Sequence, residues 1–409
     1  MVSHGLRRVA QGLVLFLLLA HAFSSRAEPV VILLSWDGTR PDYVDRAETP
    51  ALDRMRRDGT EAERLTPVFP ASTFANHVSL ATGAYVEAHG IVGNVFRDPE
   101  RGLFRYSNDA SFIQAEPIWV AAERQGVRAA TFFWVGSETD WQGVGATYRK
   151  TPFDSSIPES EKVDQILSWI DLPPDRRPGL ILSWWHGCDS VSHRWGPEHE
   201  RVADQLVLQD AQLGRLLAGL DERRLWKETT LIVLSDHGMA AVNEAIDLRE
   251  ILSGREISAK VFNASGMANV FVAQADRPRA LEILDALPHV DAYTAESLPG
   301  RLHYVYPGRT GDIVTLTTPP RVFASRTFTE RMFLRVTGLL GGTPAVHGYD
   351  PVLPEMGALF LALGRGVPKG RRIGPQRAID VAPTVAVLLG IDPPRDAVGH
   401  RIEGIGEGR

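Results

Sequence analysis

A single cysteine, Cys188, stands in 409 residues. One thiol cannot close an internal disulfide or build a cysteine-rich zinc site, so any metal must be held by Asp, Glu and His. Positive charge is also scarce. Lys and Arg number 44 against 50 Asp and Glu, a net charge of −6 with no basic block. A protein that binds nucleic acid by neutralising phosphates is therefore disfavoured. Repeats, low-complexity tracts and long linkers are missing. With 44% hydrophobic and 23% charged residues, neither a disordered chain nor a long coiled coil fits.

Membrane-length apolar runs are absent too. The longest lies at the start, Gly12 to Ala20, preceded by Arg7 and Arg8 and followed by Ser25 and Ala27 two residues apart. This is the pattern of a secretory signal peptide over residues 1–27, with an apolar core too short to span a bilayer comfortably. An uncleaved anchor or a buried helix is the competing reading. Cleavage removes Arg7, Arg8 and Arg26 and no acid, taking the charge from −6 to −9. The expected product is exported, periplasmic or secreted, with no membrane span.

In the remainder, residues 28–409, apolar runs of strand length recur. Pro29 to Ser35, Ala129 to Trp134, Leu180 to Trp185 and Thr230 to Leu234 read as buried parallel strands. Helical patterns lie between them, near Thr49–Asp58, Pro117–Gln125, Glu159–Ile170 and Glu200–Leu220. Thr49 suits an N-cap and Gly59 a C-terminal stop. A late strand, Leu359–Leu363, precedes a helix at Ala378–Leu389. The alternation predicts an α/β fold, a mostly parallel central sheet with helices on both faces. Residues 256–320 break the rhythm with short strand-like pieces, Val270–Ala273 and Ile313–Thr317, and read as a small inserted subdomain.

Polar residues gather just after the predicted strands, where open α/β sheets bind ligands. Asp37-Gly38-Thr39-Arg40 follows the first, Asp189-Ser190-Val191-Ser192-His193 the third and Asp236-His237-Gly238-Met239 the fourth. His347-Gly348-Tyr349-Asp350 comes much later. Each piece alone has an ordinary explanation. Asp37 suits a turn, Asp189 and His193 a surface pair, and His347 a structural histidine. Jointly they offer three Asp and three His, a donor set that suits Zn²⁺. Two metals close together clamp both oxygens of an in-line phosphoryl displacement. His186 and His199, nearby, read as solvated or supporting residues.

The nucleophile candidate is Thr73, in Phe69-Pro70-Ala71-Ser72-Thr73-Phe74-Ala75-Asn76-His77. It opens a predicted helix toward Ala81, and a helix N-terminus favours phosphate. The plainer reading is that Ser72 or Thr73 caps the helix. Asn94 can donate its amide to a phosphoryl oxygen, or can simply sit in a turn.

Taken in order, Asp37-Gly38-x-Arg40, Thr73-Phe74-x-Asn76-His77, Gly90-Ile91-Val92-x-Asn94, Asp189-Ser190-x-x-His193, Asp236-His237-Gly238-Met239 and His347-Gly348-Tyr349-Asp350 resemble the nucleotide pyrophosphatase/phosphodiesterase family of the alkaline phosphatase superfamily. The resemblance covers nearly all of residues 29–395 and implies an alkaline phosphatase-like fold. It implies two zinc ions, one held by Asp189, His193 and His347, the other by Asp37, Asp236 and His237 with Thr73. Thr73 would form a covalent phospho-threonine, and Asn94 would bind a phosphoryl oxygen. Phe74, Phe153 and Trp184 match aromatic positions that stack on a nucleobase in the family; filling core is the other reading for Phe153 and Trp184.

The sequence departs from the family at Ala75, at His186-Gly187-Cys188 and at Val135. None of these removes an implied ligand or the nucleophile. Cys188 abuts Asp189 but occupies a position that is no ligand in the family, so a buried, inert thiol is expected. The implied activity is hydrolysis of phosphodiester or pyrophosphate bonds in small nucleotide-type substrates. The alternatives are a phosphomonoesterase, a phosphonate hydrolase or a choline-phosphate-releasing enzyme on the same metals. An inactive binding protein is the reading from another class, disfavoured because all six ligands and Thr73 are present.

Overall fold

Val30–Trp36 (β1) is apolar at every position but Ser35 and buried at every position, so both of its faces must be covered. In the computed structural model, which describes residues 28–263, 265–324 and 342–407, β1 lies inside an eight-stranded sheet. The leader expected at residues 1–27 lies outside the described residues. The other strands are β2 (Thr60–Ala62), β3 (Ala129–Phe132), β4 (Tyr148–Lys150), β5 (Leu180–Trp185), β6 (Thr229–Leu234), β7 (Phe360–Gly364) and β8 (Arg371–Ile373). Their spatial order is β8-β2-β7-β6-β1-β5-β3-β4.

Five neighbours, β6-β1-β5-β3-β4, run parallel, and β8 is parallel to β2. The late strand β7 is antiparallel to both β6 and β2. Register sets up the site. Ser35 pairs with Trp184 on one side and with Leu234 on the other, so β1, β5 and β6 end at one level.

The helices form two layers. The long helix Glu200–Arg223 packs on Pro50–Asp58, Glu159–Ile170 and Gly187–Trp195; the helices Thr73–Thr82, Ile118–Arg124 and Val381–Leu389 pack together elsewhere. Thr49 does sit at the N-cap of Pro50–Asp58 but makes no side-chain cap bond. Asp210 of the long helix accepts from Ala51 N and Leu52 N at 3.0 and 2.8 Å instead. A tertiary carboxylate thus satisfies the exposed helix-end donors.

A separate four-stranded antiparallel sheet, in the order Ala259–Asn263, Met267–Val272, Ile313–Leu316 and Asp291–Tyr293, carries the helix Arg277–Asp285. It has its own apolar cluster around Leu252, Val270, Leu284 and Ile313. Among the described residues, no helix is long and apolar enough to cross a membrane.

Candidate active site

The common level of β1, β5 and β6 places Asp37, the Gly187–Trp195 helix and Asp236-His237 on one rim. Asp189 and His193 lie one turn apart on that helix. His347 joins through a short antiparallel pairing of Ala345–Val346 with Ala240–Ala241, which lays its ring on that of His237, centroids 3.8 Å apart. Close approach at the rim requires a glycine. Gly38 has φ +65°, and a Cβ there would meet Asp189 Cα and Cβ at 2.9 Å.

Asp37, Asp236 and His237 offer ligand atoms within 4.8 Å of one another, and so do Asp189, His237 and His347. His193 Nε2 lies 3.3 Å from Asp189 Oδ1, and His347 Nε2 3.8 Å from the same oxygen. All six expected side chains are therefore brought together. His237 sits between the two groups.

The fit to metal rests on how the donors are held. His193 Nδ1 donates to Ala345 O, His237 Nδ1 to Gly238 O and His347 Nδ1 to Ala71 O, at 2.8, 2.9 and 3.1 Å. A carbonyl can only accept, so each Nδ1 carries a proton and each Nε2 is the atom left to face the carboxylates. Against the opposing effect of burial, the Asp189 charge holds His193 up at about 9. Each carboxylate keeps one buried oxygen without a hydrogen-bond partner: Asp37 Oδ1, Asp189 Oδ1 and Asp236 Oδ2. Two of these carboxylates use their other oxygen. Trp184 Nε1 donates to Asp37 Oδ2 at 2.8 Å, and Gly38 N to Asp236 Oδ1 at 3.3 Å. Burial, then the charges of Asp236 and Asp189, hold Asp37 well above the usual carboxylate range. Burial, then neighbouring His237, pushes His347 down to about 3. Buried acids that repel one another, as Asp37 does with Asp236 and Asp189, are an environment a divalent cation relieves.

Thr73 is the first residue of its helix, with Ser72 at the N-cap making no side-chain bond. Thr73 Oγ1 is 3.1 Å from His237 Nε2. Asn94 is oriented by that same helix, since its Oδ1 accepts from Phe74 N at 3.0 Å. An amide oxygen so used leaves Nδ2 as a free donor beside the threonine.

The three aromatics are differently placed. Phe74 is buried, edge-on to Phe104 and Tyr106. Half-buried Phe153 stacks directly on Trp184 with centroids 4.6 Å apart. Trp184 also meets His77 edge-on, and its indole proton is engaged by Asp37.

Several contributors had no role assigned from sequence. His77, quoted only as part of the threonine motif, is buried with Nδ1 2.9 Å from Thr73 O and 3.3 Å from Asp236 Oδ2. Tyr106 is 58% exposed beside Phe74, and its N–H donates to Asn94 O at 2.9 Å. Lys162, wholly buried, donates to Trp184 O at 3.0 Å. Its place on the polar start of a helix gave no signal of burial. Of the two histidines given no ligand role, His199 caps the long helix through Arg201 N, and His186 packs against Phe153 and Trp184. Cys188 belongs to neither ligand group; its Sγ donates to Gln209 Oε1, and burial pushes the thiol up to about 12.

Residues 31–350 match the family described as type I phosphodiesterase / nucleotide pyrophosphatase. A venom phosphodiesterase of Crotalus durissus collilineatus is 32% identical over 382 residues, 89% of this chain and 44% of that protein. Human ectonucleotide pyrophosphatase/phosphodiesterase family member 1 is 30% identical, over 89% of this chain and 40% of that protein. The chain thus spans less than half the length of these relatives. Bis(5'-adenosyl)-triphosphatase enpp4 of Xenopus laevis is 28% identical over 90% of this chain and 79% of its own length. Among solved structures, an inactive threonine-to-alanine variant of murine ectonucleotide pyrophosphatase / phosphodiesterase 5 with AMP superposes with a TM-score of 0.82. It is 26% identical, covering 91% of this chain and 97% of that one.

Proposed function

Because the chain belongs to the type I phosphodiesterase / nucleotide pyrophosphatase family, we propose that it is a hydrolase of phosphodiester or pyrophosphate bonds in small nucleotide-type substrates. The observation that carries this reading is the convergence of two carboxylate–imidazole groups on one threonine at a helix start. One zinc ion would be held by Asp189, His193 and His347, the other by Asp37, Asp236 and His237 with Thr73. Bound zinc would supply fixed positive charge that acidifies the threonine hydroxyl and the hydrolytic water and neutralises phosphoryl oxygens.

The remaining work falls to the chain. Thr73 Oγ1 attacks phosphorus, and the bond to the leaving oxygen breaks as the threonyl ester forms. Water then attacks the phospho-threonine, releasing the monophosphate and restoring the hydroxyl. Asn94 Nδ2 donates to a non-bridging oxygen, and the helix N-terminus beneath adds its amide dipoles. Phe74 and Phe153 offer ring surface to the organic group, with Trp184 behind Phe153. Residues 1–27 direct export, so the enzyme acts in the periplasm or outside the cell, as relatives named for venom and as ectonucleotide enzymes do.

Zinc-loaded protein assayed on p-nitrophenyl thymidine monophosphate and on p-nitrophenyl phosphate tests the reading. The diester is the better substrate by kcat/KM. A clear preference for the monoester would replace the diesterase with a monoesterase on the same metals.

A further inference from the structure

Asn94 ends a tight segment, Gly90-Ile91-Val92-Gly93-Asn94, in which Gly90 and Gly93 have φ of +77° and +154°. Two groups from outside the central sheet hold the carbonyls of this segment. Tyr304 Oη donates to Val92 O at 2.9 Å, and Arg309 Nη1 donates to Gly90 O at 2.6 Å. Both side chains are 1% exposed.

The direction of the tyrosine bond is forced. Gly311 N donates to Asn269 Oδ1 at 2.9 Å, which fixes the amide and leaves Asn269 Nδ2 to donate to Tyr304 Oη at 2.7 Å. A phenol that already accepts an N–H turns its own proton the other way, onto Val92 O. Asn269 belongs to the strand Met267–Val272 of the small antiparallel sheet. The same phenol ring meets Phe69 edge-on at 5.0 Å. Phe69 lies in the segment that enters the Thr73 helix, where Asn76 of that helix accepts from Val68 N at 2.7 Å. One side chain therefore touches the approaches to both the nucleophile and the amide.

We propose that Tyr304 is a positioning residue for phosphoryl transfer: its hydroxyl, aimed by Asn269, holds the Val92 carbonyl and so fixes the Asn94 amide relative to Thr73. The small sheet is on this account a working part of the active site. The inference rests on the phosphodiesterase reading and on the role given there to Asn94.

A double-mutant cycle tests it. Zinc-loaded parent, Tyr304→Phe, Asn94→Ala and the double variant are assayed on p-nitrophenyl thymidine monophosphate, with thermal midpoints recorded. Tyr304→Phe lowers kcat by about 3- to 10-fold, the value of one aimed hydrogen bond, and leaves KM within about twofold. In the Asn94→Ala background the same change costs less than about twofold, because the group it positions is gone. Asn269→Asp is the second variant. Its carboxylate takes the Tyr304 proton away from Val92 O with the phenol still present, and kcat falls as in Tyr304→Phe. An equal loss in both backgrounds, or no loss in the parent, overturns the positioning role. If Asn94→Ala itself costs nothing, the reading of Asn94 fails first and the positioning role falls with it.

Discussion

At the scale of single residues, the notable side chain is Trp184. An aromatic there reads from sequence as a surface for a base or as core filling. Its indole N–H also holds Asp37 Oδ2, leaving Oδ1 free toward His237 Nε2 at 3.5 Å. A hydrogen bond to a ligating carboxylate fixes its orientation and supports metal affinity. Trp184→Phe keeps the ring against Phe153 and loses the donor. Zinc affinity by competitive chelation should fall about 10- to 100-fold. Unchanged affinity would leave Trp184 a packing residue. Cys188, although adjacent to Asp189, is turned onto Gln209 with its thiol held protonated by burial. Cys188→Ser is expected to keep both zinc and rate. Loss of one zinc in that variant would make the sulfur a ligand.

Between elements, the geometry depends on a few buried polar links that no local pattern announces. His89 is one. Its Nδ1 accepts from Ile91 N at 3.1 Å and its Nε2 donates to Ser79 Oγ at 2.8 Å, tying the Asn94 loop to the Thr73 helix. Burial, then the nearby Arg309 charge, pushes His89 down to about 3. An unfolded histidine titrates near 6.5. Below about 6.5 the unfolded chain takes up a proton that the folded chain refuses. The stability tied to neutral His89 is therefore complete above that pH and is lost as pH falls toward about 3. Across that window the unfolding free energy of the parent should fall more steeply than that of His89→Gln, by at most about 1.4 kcal/mol per pH unit. Parallel pH profiles would show that His89 does not carry this link.

For the molecule as a whole, what could be read from sequence divides along a physical line. Continuous apolar runs such as Val30–Leu34 and Leu231–Leu234 announce buried strands by composition alone, and the residues after them announce the rim. Strands of three residues, Thr60–Ala62, Tyr148–Lys150 and Arg371–Ile373, carry polar side chains and too little periodicity to register. The direction of Phe360–Gly364 is set by its partners, not by its residues. The ligand set came from motif order, but the link from Trp184 that aims Asp37, and those from Asp210 and Tyr304 that hold the Pro50–Asp58 helix start and Val92 O, join residues more than a hundred positions apart. The scarcity of cysteine and of positive charge fits this picture. In an acidic chain, an anionic substrate would have to be drawn by metal in one cleft rather than by net charge. The most direct test of that picture is turnover of p-nitrophenyl thymidine monophosphate by Thr73→Ala, with zinc counted in the same sample. Two zinc ions retained and a rate lower by at least about a thousandfold is the expected result; a near-parental rate with zinc in place would contradict the role of Thr73 as nucleophile.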